Sequence, residues 1–126
     1  MQVKDLIGGA VVSCEPAADL RAVSRMMRDH EIGCVTVMRT GALVGVVTER
    51  DVIHAMAEGA PPTAKVVDWM TPEPDTVDAD VDIEEAAEWL LATGYRHLPV
   101  VDGGAVIGVL SIKDVLWAVA EPGKLP

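Results

Sequence analysis

The stretch Gly45-Val46-Val47-Thr48-Glu49-Arg50-Asp51-Val52-Ile53 returns later in the chain as Gly108-Val109-Leu110-Ser111-Ile112-Lys113-Asp114-Val115-Leu116. Asp51 is matched with Asp114 at an offset of 63 residues, and that offset continues without a gap in both directions. Identical pairs include Val3/Val66, Asp5/Asp68, Asp19/Asp82, Val37/Val100, Gly41/Gly104, Ala42/Ala105 and Ala55/Ala118. The chain is therefore read as two tandem copies of one unit, spanning residues 1–58 and 65–120. A linker at 59–64 (Gly59-Ala60-Pro61-Pro62-Thr63-Ala64) joins them, and a Pro/Gly-bearing tail at 121–126 is expected to be ragged.

Outward from that stretch, each copy carries the same element signals. Residues 34–38 and 42–47 are β-branched runs joined by Arg39-Thr40-Gly41, a hairpin signal, and residues 97–101 and 106–110 repeat it around Asp102-Gly103-Gly104. A short strand is expected at 11–13 and at 76–77. A helix over 16–30 carries Leu20, Val23 and Met27 at helical spacing, and its counterpart carries Ile83, Ala86 and Leu90. The acidic run from Asp78 to Glu85 suits the positive N-terminus of the second helix. A last helix follows each hairpin, over 49–58 and 112–120, and a short helical lead-in precedes each copy at 3–7 and 66–70. The fold class is α+β, an α/β two-layer arrangement of strand, helix, strand, strand and helix in two copies. A half of about 60 residues buries only about 60% of its unfolded surface, so the two are expected to form one pseudo-twofold module.

Composition narrows the function. The chain has 126 residues, is 50% hydrophobic and 24% charged, and has a formal charge of −10 from 10 Lys+Arg against 20 Asp+Glu. This is a globular domain whose charge repels a phosphate backbone, so nucleic-acid strands are unsuitable partners. Aromatic residues make up only 3%, which leaves few platforms for base stacking. No apolar run reaches the roughly 20 residues of a membrane span, and the first residues lack the apolar core of a signal peptide. The expectation is a cytoplasmic protein. Cys14 and Cys34 form no C-x-x-C pair and stand at no metal-ligand spacing from His30, His54 or His97, so they are read as buried free thiols. Neither a nucleophile motif nor a phosphate-binding Gly-rich loop is present, and His30 is read as a helix-terminal residue rather than a catalytic one. The expectations are no enzyme activity, no metal and no cofactor.

The duplicated hairpin, ending in an aliphatic run plus Thr/Ser-x-x-Asp, resembles the CBS (cystathionine-β-synthase) domain, here as a tandem pair. The segments that carry the resemblance are Val44 to Asp51, Arg96-His97-Leu98-Pro99-Val100-Val101-Asp102, and Ile107 to Asp114. It covers nearly the whole chain. The resemblance implies a stand-alone regulatory or sensor protein that binds an adenine nucleotide, AMP, ADP, ATP or S-adenosylmethionine, in clefts between the two repeats. Carried over position by position, Thr48 and Asp51 in the first copy and Ser111 and Asp114 in the second would hold the ribose and phosphate end. Arg50, Arg96, His97 and Lys113 are candidate phosphate contacts. The family also implies a homodimer through helix faces.

Elementary chemistry agrees with these roles and offers plainer ones. A carboxylate accepts from both hydroxyls of a ribose, and a helix start with a free hydroxyl offers donors to phosphate. Gly45 and Gly108 would leave room beside a cleft for an adenine. Yet Thr48-x-x-Asp51 and Ser111-x-x-Asp114 also read as ordinary N-caps, and Arg50 and Lys113 as solvated helix-start cations. The copies differ in one suggestive way: Arg96 and His97 stand where the first copy has Gly33 and Cys34. The alternative function is a dimerisation or protein-interaction module indifferent to nucleotide. Met26, His54, Trp89 and Trp117 on helix flanks would then form a contact patch or cap the core edge. On the first long helix of each copy, Arg21, Arg25 and Arg28 are matched by Glu84, Glu88 and Leu91, an exchange of charge that would favour a head-to-tail pairing of two chains.

Overall fold

The computed structural model describes residues 1–120; the tail expectation for 121–126 lies outside the described residues. The chain divides into two compact units, Val12–Pro74 and Met1–Val11 together with the chain from Asp75 onward. They are called the first-copy and second-copy units below.

The first-copy unit holds β1 (Ser13–Cys14), α1 (Leu20–His30), β2 (Cys34–Arg39), β3 (Ala42–Thr48), α2 (Glu49–Ala57) and β4 (Thr71–Pro72). Its sheet order is β1-β2-β3-β4, with β1 parallel to β2 and the remaining pairs antiparallel. The second-copy unit holds β5 (Val77–Asp78), α3 (Ile83–Thr93), β6 (His97–Asp102), β7 (Ala105–Ser111) and α4 (Ile112–Val119), with sheet order β5-β6-β7. Both hairpins carry a register shift at the same place, between Val37 and Met38 and between Val100 and Val101. Their turns use left-handed residues, Thr40 and Gly41 in one and Gly103 and Gly104 in the other, as two-residue hairpin loops require.

Local chemistry sets the element boundaries. α1 starts at Leu20, not at 16, because the Asp19 carboxylate caps it by accepting from Ala22 N at 2.8 Å. α3 ends on Gly94 in the left-handed conformation that glycine adopts without a Cβ penalty. The expected strand at 76–77 forms instead as Val77–Asp78, and Pro99 explains the shift. In the first copy Thr36 N donates to Val12 O at 3.3 Å and Ser13 pairs with Thr36. The matching residue of β6 is Pro99, which has no N–H to donate, so pairing begins at Val77 with Val100.

The lead-ins are 3-10 turns, Val3–Leu6 and Val66–Asp68, and each completes the core of the other copy. Val66 N donates to Ala18 O at 2.8 Å and Val67 N to Pro16 O at 3.1 Å, which places the fully buried Val66 among Leu20, Val23, Val35, Val37 and Val47. In the second-copy unit Val3 N donates to Val81 O at 2.8 Å and Lys4 N to Ala79 O at 2.9 Å. The fully buried Val3 packs there with Ile83, Leu90, Leu98, Val100 and Leu110. Aliphatic burial of this kind stabilises by roughly 1.5–3 kcal/mol per side chain, so each short lead-in is a core element of its unit.

Candidate functional site

Where β3 runs into α2, the Thr48 hydroxyl accepts from Asp51 N at 3.2 Å, while Asp51 Oδ2 accepts from Thr48 N at 2.9 Å. The β7–α4 junction repeats the arrangement: Ser111 Oγ accepts from Asp114 N at 3.1 Å and Asp114 Oδ2 from Ser111 N at 3.3 Å. Both are reciprocal capping boxes, so the plain reading of these four residues is correct as far as it goes. All four side chains remain half-exposed at the start of a helix, and the boxes hold each carboxylate in one orientation.

The copies diverge around this common frame. In the second-copy unit His97 lies opposite Ser111 on the β6–β7 ladder, and the Arg96 carbonyl accepts from Ile112 N at 2.9 Å. The backbone thus brings Arg96 and His97 beside Ser111 and Asp114. In the first-copy unit the same bonds place Gly33 and Cys34 there: Gly33 O accepts from Glu49 N at 3.0 Å, and Cys34 lies opposite Thr48. Arg50, Arg96 and Lys113 are exposed, and His97 is half-buried. Burial pushes the Cys34 thiol up to about 12, with the nearby Asp51 carboxylate adding to it, and burial pushes Cys14 up to about 11. Both thiols are free, buried and protonated at neutral pH, as read from the sequence.

The two carboxylates also have different neighbours. Thr71 Oγ1 of β4 stands 3.5 Å from both Oδ1 and Oδ2 of Asp51. At offset 63 the residue matching Thr71 is Gly8. Among the described residues the only hydrogen bond to the Asp114 carboxylate is the one from Ser111 N. Thr71 was not singled out from the sequence, although the Met70-Thr71 pair against Ile7-Gly8 was the signal that could have found it.

One expectation is overturned. Gly45 and Gly108 are buried and leave no room beside a cleft, because the lead-ins fill the space. A Cβ on Gly45 would meet Met70 Sδ at 2.5 Å and the Thr71 carbonyl at 2.9 Å, and one on Gly108 would collide with Ile7 Cγ2. The flanking residues are also resolved. Met26 and Trp89 are half-buried against their own cores, Trp89 with its ring edge-on to Tyr95, whereas His54 is exposed and edge-on to Trp69. The exposed apolar side chains are Ile53, Met56, Leu91, Leu116, Trp117 and Val119. Among the described residues no His/Cys/Asp/Glu group could hold a metal, and no helix is long and apolar enough to cross a membrane.

Comparison with known proteins gives the arrangement its family. The chain is 25% identical over 114 residues to the CBS domain-containing protein YhcV of Bacillus subtilis, covering 90% of this chain and 81% of that one. It superposes on the crystal structure of the CBS-domain containing protein ATU1752 from Agrobacterium tumefaciens with a TM-score of 0.86 at 29% identity, covering 94% of this chain and 98% of that chain. The CBS domain protein PAE2072 from Pyrobaculum aerophilum, solved in complex with AMP, superposes with a TM-score of 0.85 at 26% identity over 95% and 98% of the two chains. The family model for the CBS domain matches twice, at residues 3–58 and 66–121, once over each repeat, and the chain belongs to the CBS-domain family.

Proposed function

We propose that this chain is a nucleotide-sensing regulatory protein that binds an adenine nucleotide such as AMP, with Ser111 and Asp114 at its principal site. Asp114 would accept from the ribose hydroxyls, while the Ser111 hydroxyl, Arg96, His97 and Lys113 would meet the phosphate. Thr48, Asp51 and Arg50 form the lesser site. The observation that carries this reading is the convergence on one helix start of an oriented carboxylate, a hydroxyl and the Arg96–His97 pair. The AMP complex of PAE2072, a relative with the same fold, supports the choice of ligand.

Calorimetric titration with AMP tests it. A carboxylate that bonds a ribose contributes about 1.5–3 kcal/mol, so Asp114→Ala should weaken binding roughly tenfold to a hundredfold and Asp51→Ala less. Affinity should also fall with added salt, because few local cations act against a molecular charge of −10. Unchanged titrations for both variants would remove the ribose role. Absence of any adenine-nucleotide binding would leave the interaction-module alternative.

The same reading includes a homodimer through helix faces. Ile53 and Met56 of α2 are 68% and 75% exposed, and their matches at offset 63, Leu116 and Val119 of α4, are 62% and 51% exposed. Repetition of the pair in both units supports a contact that uses both. These residues replace Met26 and Trp89 as its apolar centre.

A further inference from the structure

We infer that the two ribose-binding carboxylates are unequal because Thr71 occupies the front of Asp51, whereas Asp114 is open; the inference rests on the nucleotide reading above and sets which site fills first. Thr71 Oγ1 is 3.5 Å from Asp51 Oδ1 and 3.5 Å from Oδ2. An oxygen equidistant from both lies on the perpendicular bisector of the carboxylate. A cis-diol that bonds both carboxylate oxygens must straddle that line, so the hydroxyl stands where the ribose edge would sit. Asp51 Oδ2 is already fixed by Thr48 N, and the carboxylate cannot turn away without breaking its capping box.

Thr71 is itself held in place. It pairs with Val46 in the β3–β4 ladder, and its carbonyl lies against Gly45, where a Cβ would be only 2.9 Å away. To admit a diol, its side chain must rotate off the carboxylate. In the second-copy unit the matching residues are Gly8 and Gly9, which form no fourth strand, and a Cβ built on Gly8 has nothing within 4 Å. Asp114 keeps Oδ1 without a hydrogen bond among the described residues. The substitution of Gly8-Gly9 for Thr71-Pro72 removes the competing hydroxyl and the strand that carries it.

Single-site proteins test this. In Asp114→Ala, where the Asp51 site alone remains, Thr71→Ala should raise AMP affinity by roughly threefold to tenfold, the worth of one hydrogen bond that no longer has to be displaced. Thr71→Ser, which keeps the oxygen, should stay near the parent. Thr71→Ala alone should leave the Asp114 site unaltered, which shows that the protein remains folded. Equal or weaker AMP binding on Thr71→Ala in the Asp114→Ala background overturns the inference, and would make Thr71 a strut or a ligand donor. If instead neither Asp51→Ala nor Asp114→Ala changes AMP binding in the otherwise unaltered chain, the nucleotide reading itself fails and the inference falls with it.

Discussion

Alanine at Gly108 is the sharpest probe of how the lead-in closes the second-copy unit. The added Cβ collides with Ile7 Cγ2, and Ile7 Cδ1 and Cβ follow at 3.4 and 3.5 Å. Ile7 is branched at Cβ, so Cγ2 cannot swing clear without a change of χ1 or a shift of the backbone. Overpacking by one methyl costs about 1–3 kcal/mol, against which the lower entropy of the unfolded Ala chain returns about 0.4–1 kcal/mol. The net loss should lower Tm by several degrees, about 3–10 °C for a chain of this size. Thermal unfolding of Gly108→Ala, Ile7→Ala and the double variant closes a cycle. Ile7→Ala alone loses packing against the core, but in the double variant the Cβ moves into the vacated space. The double variant should therefore be more stable than the sum of the single losses by about 1 kcal/mol or more. Gly45 behaves differently, because its conflict involves the Thr71 carbonyl as well as the flexible end of Met70. Met70→Ala should rescue Gly45→Ala less well than Ile7→Ala rescues Gly108→Ala. Additive losses in the Gly108/Ile7 cycle, or a Gly108→Ala protein as stable as its parent, would refute the reasoning.

Two further expectations follow from burial and charge. Cys34 keeps its proton in the folded state to about pH 12 but loses it near 9.0 when unfolded, so its contribution is complete below pH 9 and is lost as pH rises from there toward 12. Urea unfolding at rising alkaline pH should show stability falling by up to about 1.4 kcal/mol per pH unit from this thiol, and Cys34→Ala should flatten the slope; a slope unchanged by the substitution would contradict the assignment. In the proposed homodimer, Arg21 and Arg25 of α1 and Glu84 and Glu88 of α3 are all exposed, as a head-to-tail arrangement requires. Sedimentation should find the dimer weakened by Arg25→Glu and restored by adding Glu88→Arg, with each exposed pair contributing about 0–1 kcal/mol; indifference to both changes would exclude charge as the selector of orientation.

Much of the fold was legible because the duplication states everything twice. The hairpins, their turns and the helix starts at Thr48 and Ser111 follow from residues that act on near neighbours: β-branched runs, Gly at left-handed positions and reciprocal caps. Three features were not read correctly, each for a long-range reason. The exchange of lead-ins joins Val66 to Ala18 and Val3 to Val81, and a local pattern at 3–7 or 66–70 reports a turn without reporting which copy it completes. Gly45 and Gly108 were read as making room for a ligand, whereas residues 25 and 101 positions away in the chain, Met70 and Ile7, fill that room. The start of β5 was misplaced by one residue although its cause, Pro99 in the neighbouring strand, was visible. At the candidate site the sequence named both Thr/Ser-x-x-Asp segments. It could not place Arg96 and His97, which belong to α4 only through the pairing of β6 with β7.

The differences between the copies all fall at one place and act in one direction. At the start of α2, Glu49 and Asp51 outweigh Arg50, with the uncharged Gly33 and Cys34 alongside. At the start of α4, isoleucine replaces that glutamate, and Lys113 with Arg96 outweighs Asp114. The helix N-terminus adds partial positive charge to both, so the second-copy site alone combines it with a local excess of cations. In a chain carrying −10 overall, a phosphate approaching the first-copy site meets repulsion from every scale of the charge distribution. At the second-copy site the nearest charges oppose that field, and near charges dominate because screening over about 8–10 Å removes most of the distant ones. The hydroxyl of Thr71 acts in the same sense through sterics, since it obstructs the carboxylate of the site that charge already disfavours. Duplication therefore supplied two equivalent frames, and substitutions at Gly33/Arg96, Cys34/His97, Glu49/Ile112 and Thr71/Gly8 separated them into one site suited to a phosphorylated ribose and one held shut by its own side chains.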